Sequence, residues 1–376
     1  MIGEVKGPIQ SKDTRIVSAR NKPTVLAVLA VTAALASAAV PAASASLLQP
    51  GRGKIFFGLT DSGVTGQFTE FADAVGKHPA VIETFRSWGG DLRGSIKRWE
   101  SAVARPMLHI TTADPNDGHQ IVSPRGIALG KGDHYLLNLN HYFWAHGMRA
   151  YIRPLGEPNR CLNVYAAYDC SGAPKGGYNS PRWYKQAFRR MYIVLHGGGK
   201  LAKINARLGK LGLPPLNNGA RGVLPGGLPR APIEVVWSPL PAGSPETRDN
   251  LPGYFYPGSN YVDWTGTDFY SDYPNWKALN QVYSEAKHRP FTLTEWGLNG
   301  SDDSGFVKRL FAWVKDHQRC RMLIYYQDFG SSSSYRLENY PASLAVVRRN
   351  LRSPRFPEYA FEPPVPPPPP PGGVSP

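Results

Sequence analysis

The chain has 376 residues, 41% of them hydrophobic, enough for one large core and within the size range of a single barrel domain. Its net charge of +15 comes from Lys and Arg scattered singly, with no helix-turn-helix, zinc-finger or RNP pattern, so no nucleic-acid partner is expected. Nine Trp and nineteen Tyr lie among Gly and Pro, not among basic runs, which suits stacking on sugars.

In chain order, Lys6, Lys12, Arg15, Arg20 and Lys22 precede an unbroken run of small and apolar residues from Val25 to Val40, and Ala43-Ser44-Ala45 supplies small residues at a cleavage position. Residues 1–45 therefore read as a secretory signal. The apolar run is shorter than the roughly 18 residues that favour a spanning helix, so cleavage, export and no stable membrane insertion are the expectation. A retained anchor is the rival reading.

From Lys54 onward, strand-like and helix-like stretches alternate. Strands are predicted at 55–59, 81–86, 106–110, 149–154, 233–237, 261–270, 291–294 and 322–327. Helices are predicted at 68–75, 92–103, 133–146, 180–195, 276–286 and 305–316, with Ser180 as N-cap and Pro181 at the first helical position of the fourth. A repeated β-then-α order implies a parallel sheet, and eight strands imply an α/β fold closed as a (β/α)8 barrel over residues 46–356. Residues 357–376 are Pro-rich and read as an extended tail or linker.

Two acids fall at predicted strand ends: Glu157 after Tyr151 to Pro154, and Glu295 after Phe291 to Thr294. If the first run is extended through its end, Tyr151, Arg153, Leu155 and Glu157 share one face. Active sites of such barrels lie at the C-terminal strand ends, so both acids belong at one rim. Cleavage of a glycosidic bond needs such a pair, one carboxyl to protonate the leaving oxygen and one to attack the sugar or activate water. A retaining pair would stand about 5 Å apart. The opposing reading is two solvated or salt-bridged acids.

Cys161 and Cys170 flank a short loop after Glu157, and in an oxidising compartment they are expected to form a disulfide beside the site. Cys320 reads as a buried apolar residue. No cysteine has metal-site spacing with His, and a carboxylate pair calls for no metal or organic cofactor.

The segments RPLGEPN and, much later, LTEWG resemble glycoside hydrolase family 26, the β-mannanase family of the (β/α)8 clan. SPRGIALGKGDHYLLNLN, IEVVWSP and YPGSNYVDWTGTDFYS are similar to that family in type and order, and the resemblance covers roughly residues 53 to 351. It departs where that family usually has His before the acid and Met-Asn after it; here Gly156 precedes Glu157 and Pro158-Asn159 follows. The resemblance implies Glu157 as acid/base, Glu295 as nucleophile, Tyr270 as a hydrogen-bond partner of the nucleophile, and β-1,4-mannan as substrate.

Further substrate-site candidates are Arg153, Asn159, Trp237, Trp296, His109 and Trp88, each with a packing or turn alternative. Asp61, Asp268 and Asp328 are set aside as acid or nucleophile and left as subsite residues. The expected protein is a monomeric, secreted, retaining glycoside hydrolase acting on a polysaccharide or oligosaccharide. Alternatives are a β-glucanase or β-xylanase of the same fold, an inactive carbohydrate-binding barrel, and a cell-wall structural protein anchored by its tail.

Overall fold

Eight short segments rich in apolar and β-branched residues are almost wholly buried, and each is too short to cover both of its faces alone. They pair side by side and close on themselves, which removes every sheet edge. The computed structural model describes residues 48–61, 67–216, 226–285, 287–327 and 334–360. The proposed signal, residues 361–376 of the Pro-rich tail and Asp328 lie outside them.

The strands are β1 (Phe56–Thr60), β2 (Val81–Ser87), β3 (Arg105–Thr111), β4 (Ala150–Pro154), β5 (Ile233–Trp237), β6 (Trp264–Tyr270), β7 (Phe291–Gly297) and β8 (Cys320–Tyr325). They form a closed parallel barrel in sequence order, and β8 returns to β1 with Leu323 opposite Phe57. This is the (β/α)8 architecture that the alternation of elements implies. At Gly58 an added Cβ would lie 2.4 Å from the Val81 carbonyl oxygen and 2.7 Å from Ile324, so the close approach of β1 to its neighbours requires glycine there.

The connecting helices lay one apolar face on the barrel. Helix α1 (Gln67–Val75) buries Phe68, Phe71 and Val75, and α9 (Ser304–Asp316) buries Phe306, Val307, Leu310, Phe311 and Val314. Each fully buried Phe or Leu contributes about 1.5–3 kcal/mol relative to exposure. Helix α5 (Pro181–His196) begins as expected, with the Ser180 hydroxyl accepting from Trp183 N at 3.3 Å. The helices α2 (Arg93–Ala102), α4 (Asp133–Ala145) and α8 (Trp276–Glu285) also match their predicted positions. Short α3 (Pro124–Ala128), α6 (Leu201–Gly209), α7 (Pro252–Phe255) and α10 (Pro341–Leu351) were not read from the sequence; α10 supplies the helix after β8.

Two boundaries change the reading of the site. Strand β4 stops at Pro154 because Leu155 turns into the left-handed region at φ 51°, so Glu157 does not share a strand face with Arg153. Strand β7 runs on to Gly297, so Glu295 lies within the strand and not at its end.

The N-terminal end of the barrel is filled by Phe56, Val81, Met107, Tyr151, Trp264 and Met322, together with Leu48 and Ala360 from the two ends of the described chain. Arg105 donates to the Leu48 carbonyl at 2.7 Å and to the Ala360 carbonyl at 3.2 Å, and the Tyr151 hydroxyl also donates to Leu48. Polar side chains occupy the opposite, C-terminal half of the interior.

Candidate active site

Arg153 is the hub of that polar layer. Its side chain is wholly buried, and a buried cation needs anionic partners. Nη1 donates to Glu83 Oε1 on β2 at 3.0 Å and to Glu295 Oε1 on β7, Nη2 donates to Asp268 Oδ2 on β6, and Nε donates to the Ser238 hydroxyl after β5 at 2.8 Å. Burial works against the guanidinium charge, but Asp268, Glu295, Glu83 and Glu157 outweigh it and hold its pKa well above the usual value.

One cation cannot neutralise three carboxylates in a dry interior, so protons must remain on some of them. Burial pushes the Glu83 carboxyl from 4.5 up to about 8 against the pull of Arg153, and Asp268 is raised well above its usual range for the same reason. Of the two, Glu83 is the less well supported as an anion. Asp268 accepts both from Arg153 and from the Thr294 hydroxyl at 2.6 Å, whereas Glu83 Oε2 is buried without a partner.

Glu295 has a donor on each oxygen: Arg153 on Oε1, and the Tyr270 hydroxyl on Oε2 at 2.5 Å. Tyr270 lies two residues beyond Asp268 on β6, and the period of two aims both side chains at the same interior. Its phenol is kept protonated by burial and by the carboxylates around it.

Glu157 sits on the turn beyond β4 with φ 49°, a left-handed conformation that a non-glycine residue holds only where the surroundings enforce it. Those surroundings are dense. Glu157 N donates to the Ser238 carbonyl at 2.7 Å, its own carbonyl accepts from Arg160 N at 3.0 Å and from Asn163 Nδ2 at 2.9 Å, and the Tyr165 hydroxyl donates to the Gly156 carbonyl at 2.6 Å. The Glu157 carboxylate accepts from Arg160 Nη1 at 2.9 Å. Glu157 and Glu295 both act electrostatically on Arg160, Tyr165 and Asp268, so the two acids share one polar centre.

Position 156 has no room for a side chain. A Cβ there would lie 2.8 Å from Arg153 Nε and 2.9 Å from His109 Cε1. The imidazole of His109, from β3, thus occupies the space beside Glu157. Its Nδ1 lies 3.9 Å from both Glu83 Oε1 and Glu295 Oε1 and has no hydrogen-bond partner. Burial and the charge of Arg153 keep its pKa well below 6.5, so the ring is neutral and these contacts are not ion pairs.

The other sequence candidates separate by position. Asn159 is fully buried with both amide atoms bonded to the Leu240 backbone, at 3.0 and 2.8 Å, so it pins a loop and has no group to offer a ligand. Trp237 and Trp296 are fully buried on the outer side of the barrel, against Tyr256 and against Tyr325 and Phe311, and present no flat face to a sugar. Trp88 is buried beside Tyr135. Asp61 is buried and held by Arg98 at 2.7 Å. The aromatic surface at the mouth comes instead from Phe85, Tyr270, Tyr326 and Tyr335, all partly exposed and in mutual ring contact.

Cys161 and Cys170 form the expected disulfide, with Cα atoms 5.0 Å apart, and Cys320 is buried. Glu83, His109 and Glu295 offer three ligand atoms within 4.8 Å of one another, spacing that could hold a cation, but the Arg153 guanidinium already bonds both carboxylates. A second such group, Asp114, Asp117 and His119, lies in the loop after β3. Glu83, Ser238 and Arg160 went unread in the sequence, although an acid inside the apolar run VIETF is itself a signal of a buried partner.

No family model matches the chain, and no curated protein sequence does. Solved structures do. A GH26 β-mannanase from Bacteroides ovatus is 18% identical, with 83% of this chain and 92% of that one covered, at a TM-score of 0.53. A double mutant of the Cellulomonas fimi endo-β-1,4-mannanase is 16% identical over 84% and 74%, also at 0.53. A Bacillus subtilis mannanase is 18% identical over 80% and 87%, at 0.51. The chain therefore has a barrel fold like that of the GH26 mannanases, as the resemblance of its motifs implies.

Proposed function

We propose that the protein is a secreted retaining glycoside hydrolase cleaving a β-linked polysaccharide, with β-1,4-mannan as the first substrate to test. The observation that carries this reading is the pairing of Glu295, held by donors on both oxygens, with Glu157, fixed on a strained turn of the same polar centre. A nucleophile needs a fixed, oriented carboxylate, and Arg153 and Tyr270 supply that orientation. In the first step Glu295 attacks the anomeric carbon while Glu157 protonates the departing oxygen. In the second, Glu157 takes a proton from water, which displaces the sugar from Glu295. The partly exposed tyrosines and Phe85 at the mouth offer ring faces to the sugar.

The likeness to mannanase folds supports the substrate class, and residues 1–45 support export. The deciding experiment is release of reducing sugar from mannan, glucan and xylan. Cleavage of mannan alone supports the full reading; cleavage of glucan or xylan keeps the hydrolase and moves the substrate. One observation favours a binding-only barrel: Glu157, the proposed proton donor, is tied in an ion pair with Arg160 at 2.9 Å. That reading predicts sugar affinity with no product.

A further inference from the structure

Arg160 is placed unlike an ordinary surface arginine. Its backbone belongs to a loop fixed at several points: Arg160 bridges to Ser244, Cys161 N donates to the Ser244 carbonyl at 2.7 Å, Asn163 N donates to the Arg160 carbonyl at 3.0 Å, and the disulfide closes the segment behind it. Lys175 Nζ adds a second positive charge, bonded to the Cys161 and Asn163 carbonyls at 2.8 and 2.9 Å. The guanidinium is 44% exposed, donates through Nη1 to Glu157, and lies within electrostatic reach of Glu295 and Tyr270. It therefore stands at the open side of the catalytic centre.

A half-exposed ion pair three residues apart adds roughly 0–1 kcal/mol to stability, too little to explain why a cation is fixed on the group that must donate a proton. A guanidinium has five N–H donors, and the bond to Glu157 engages one. The remainder suit a planar anion in the bidentate geometry that arginine forms with carboxylates.

We infer that Arg160 recognises a carboxylate on the substrate, so that the preferred polymer carries uronate residues beside the scissile bond. This rests on the hydrolase reading and deepens it. The incoming uronate takes the N–H donors of Arg160 that Glu157 leaves unused, on the exposed side of the guanidinium, while Nη1 stays on Glu157. A neutral sugar offers those donors no anion.

The test uses one backbone in two charge states: β-1,4-manno-oligosaccharides, and the same oligosaccharides partly oxidised at C6 to the uronate. For the unmodified protein, kcat/KM is expected to favour the oxidised set by roughly ten- to a hundredfold, the worth of a charge-assisted hydrogen bond, with the preference shrinking as salt is added. Arg160→Met should bring the ratio close to one, and Arg160→Lys should retain part of it, with circular dichroism confirming that both variants fold. Binding of both sets to Glu295→Gln, followed by calorimetry, reads the same preference without turnover. If both sets are cleaved equally, or if Arg160→Met keeps the preference, the inference fails and the hydrolase stands. If neither set is cleaved but Glu295→Gln binds the oxidised set more tightly, Arg160 is the recognition group and the hydrolase reading falls.

Discussion

Arg153 Nη1 stands 3.0 Å from Glu83 Oε1, while the other oxygen of the same carboxyl, Oε2, is buried with nothing to bond. Glu83 is thus half-satisfied beside the guanidinium that also bonds Glu295, and burial raises its pKa from 4.5 to about 8. The folded protein keeps a proton there that the unfolded chain has already released. Stability therefore falls as pH rises from 4.5 to about 8. Glu83→Gln, which keeps the shape and an acceptor for Arg153, should flatten that fall and leave the variant more stable than the parent at the upper end. Urea unfolding followed across this window checks it; an unchanged slope would show that Glu83 ionises freely in the fold.

The roles proposed for Glu157 and Glu295 separate by chemical rescue. Glu295→Ala should lose turnover on every substrate, because no covalent intermediate forms. Glu157→Ala should still glycosylate Glu295 from an aryl glycoside with a good leaving group, and added azide should release the product as a glycosyl azide. Rates of aryl release by both variants, with and without azide, decide it. Absence of rescue in Glu157→Ala, or near-full activity in Glu295→Ala, reverses the assignment.

Gly156→Ala should destabilise the fold by about 1–3 kcal/mol, since its Cβ meets Arg153 Nε at 2.8 Å and His109 Cε1 at 2.9 Å. Removing the imidazole as well should recover part of this loss. Unfolding free energies of Gly156→Ala, His109→Ala and the double variant form the cycle. Strict additivity would mean that His109 does not occupy the space of the missing side chain.

Replacing both Cys161 and Cys170 by Ser opens a loop with a sequence separation of 9. The loss of cross-link should cost roughly 2–3 kcal/mol of stability in the chain-entropy account. Because Arg160 adjoins Cys161, the KM for any cleaved substrate should rise more than kcat falls. Denaturant midpoints and steady-state kinetics measure the two effects, and a shift in kcat alone would place the loop's influence on chemistry and not on binding.

The barrel was legible because its strands are apolar runs separated by amphipathic helices, a pattern that survives without long-range information. The site was legible only in part. Glu157, Glu295 and Tyr270 are singled out by their neighbours in sequence, and the structure brings them to one polar centre. The buried tryptophans were misplaced despite a signal: Trp296 follows Glu295 directly on β7, so an acid facing the interior turns the Trp toward the helices. Trp237 stands in the same relation to Ser238, whose hydroxyl meets Arg153. Arg153 stands out in the sequence as a site candidate on the face of its strand, but its partners lie 70, 115 and 142 residues away along the chain, and no local pattern names them. The fold of the turn at Leu155 was also hidden, because a left-handed Leu or Glu is imposed by surrounding bonds and not by its own preference.

Leu48 and Ala360 are clamped by Arg105 at the floor of the barrel, on the side away from the mouth. The described chain thus begins and ends at one pole of the domain, opposite the pole that holds Glu157 and Glu295. A tether attached at Leu48 or at Ala360 would hold the barrel by its base, with Glu157 and Glu295 on the far side.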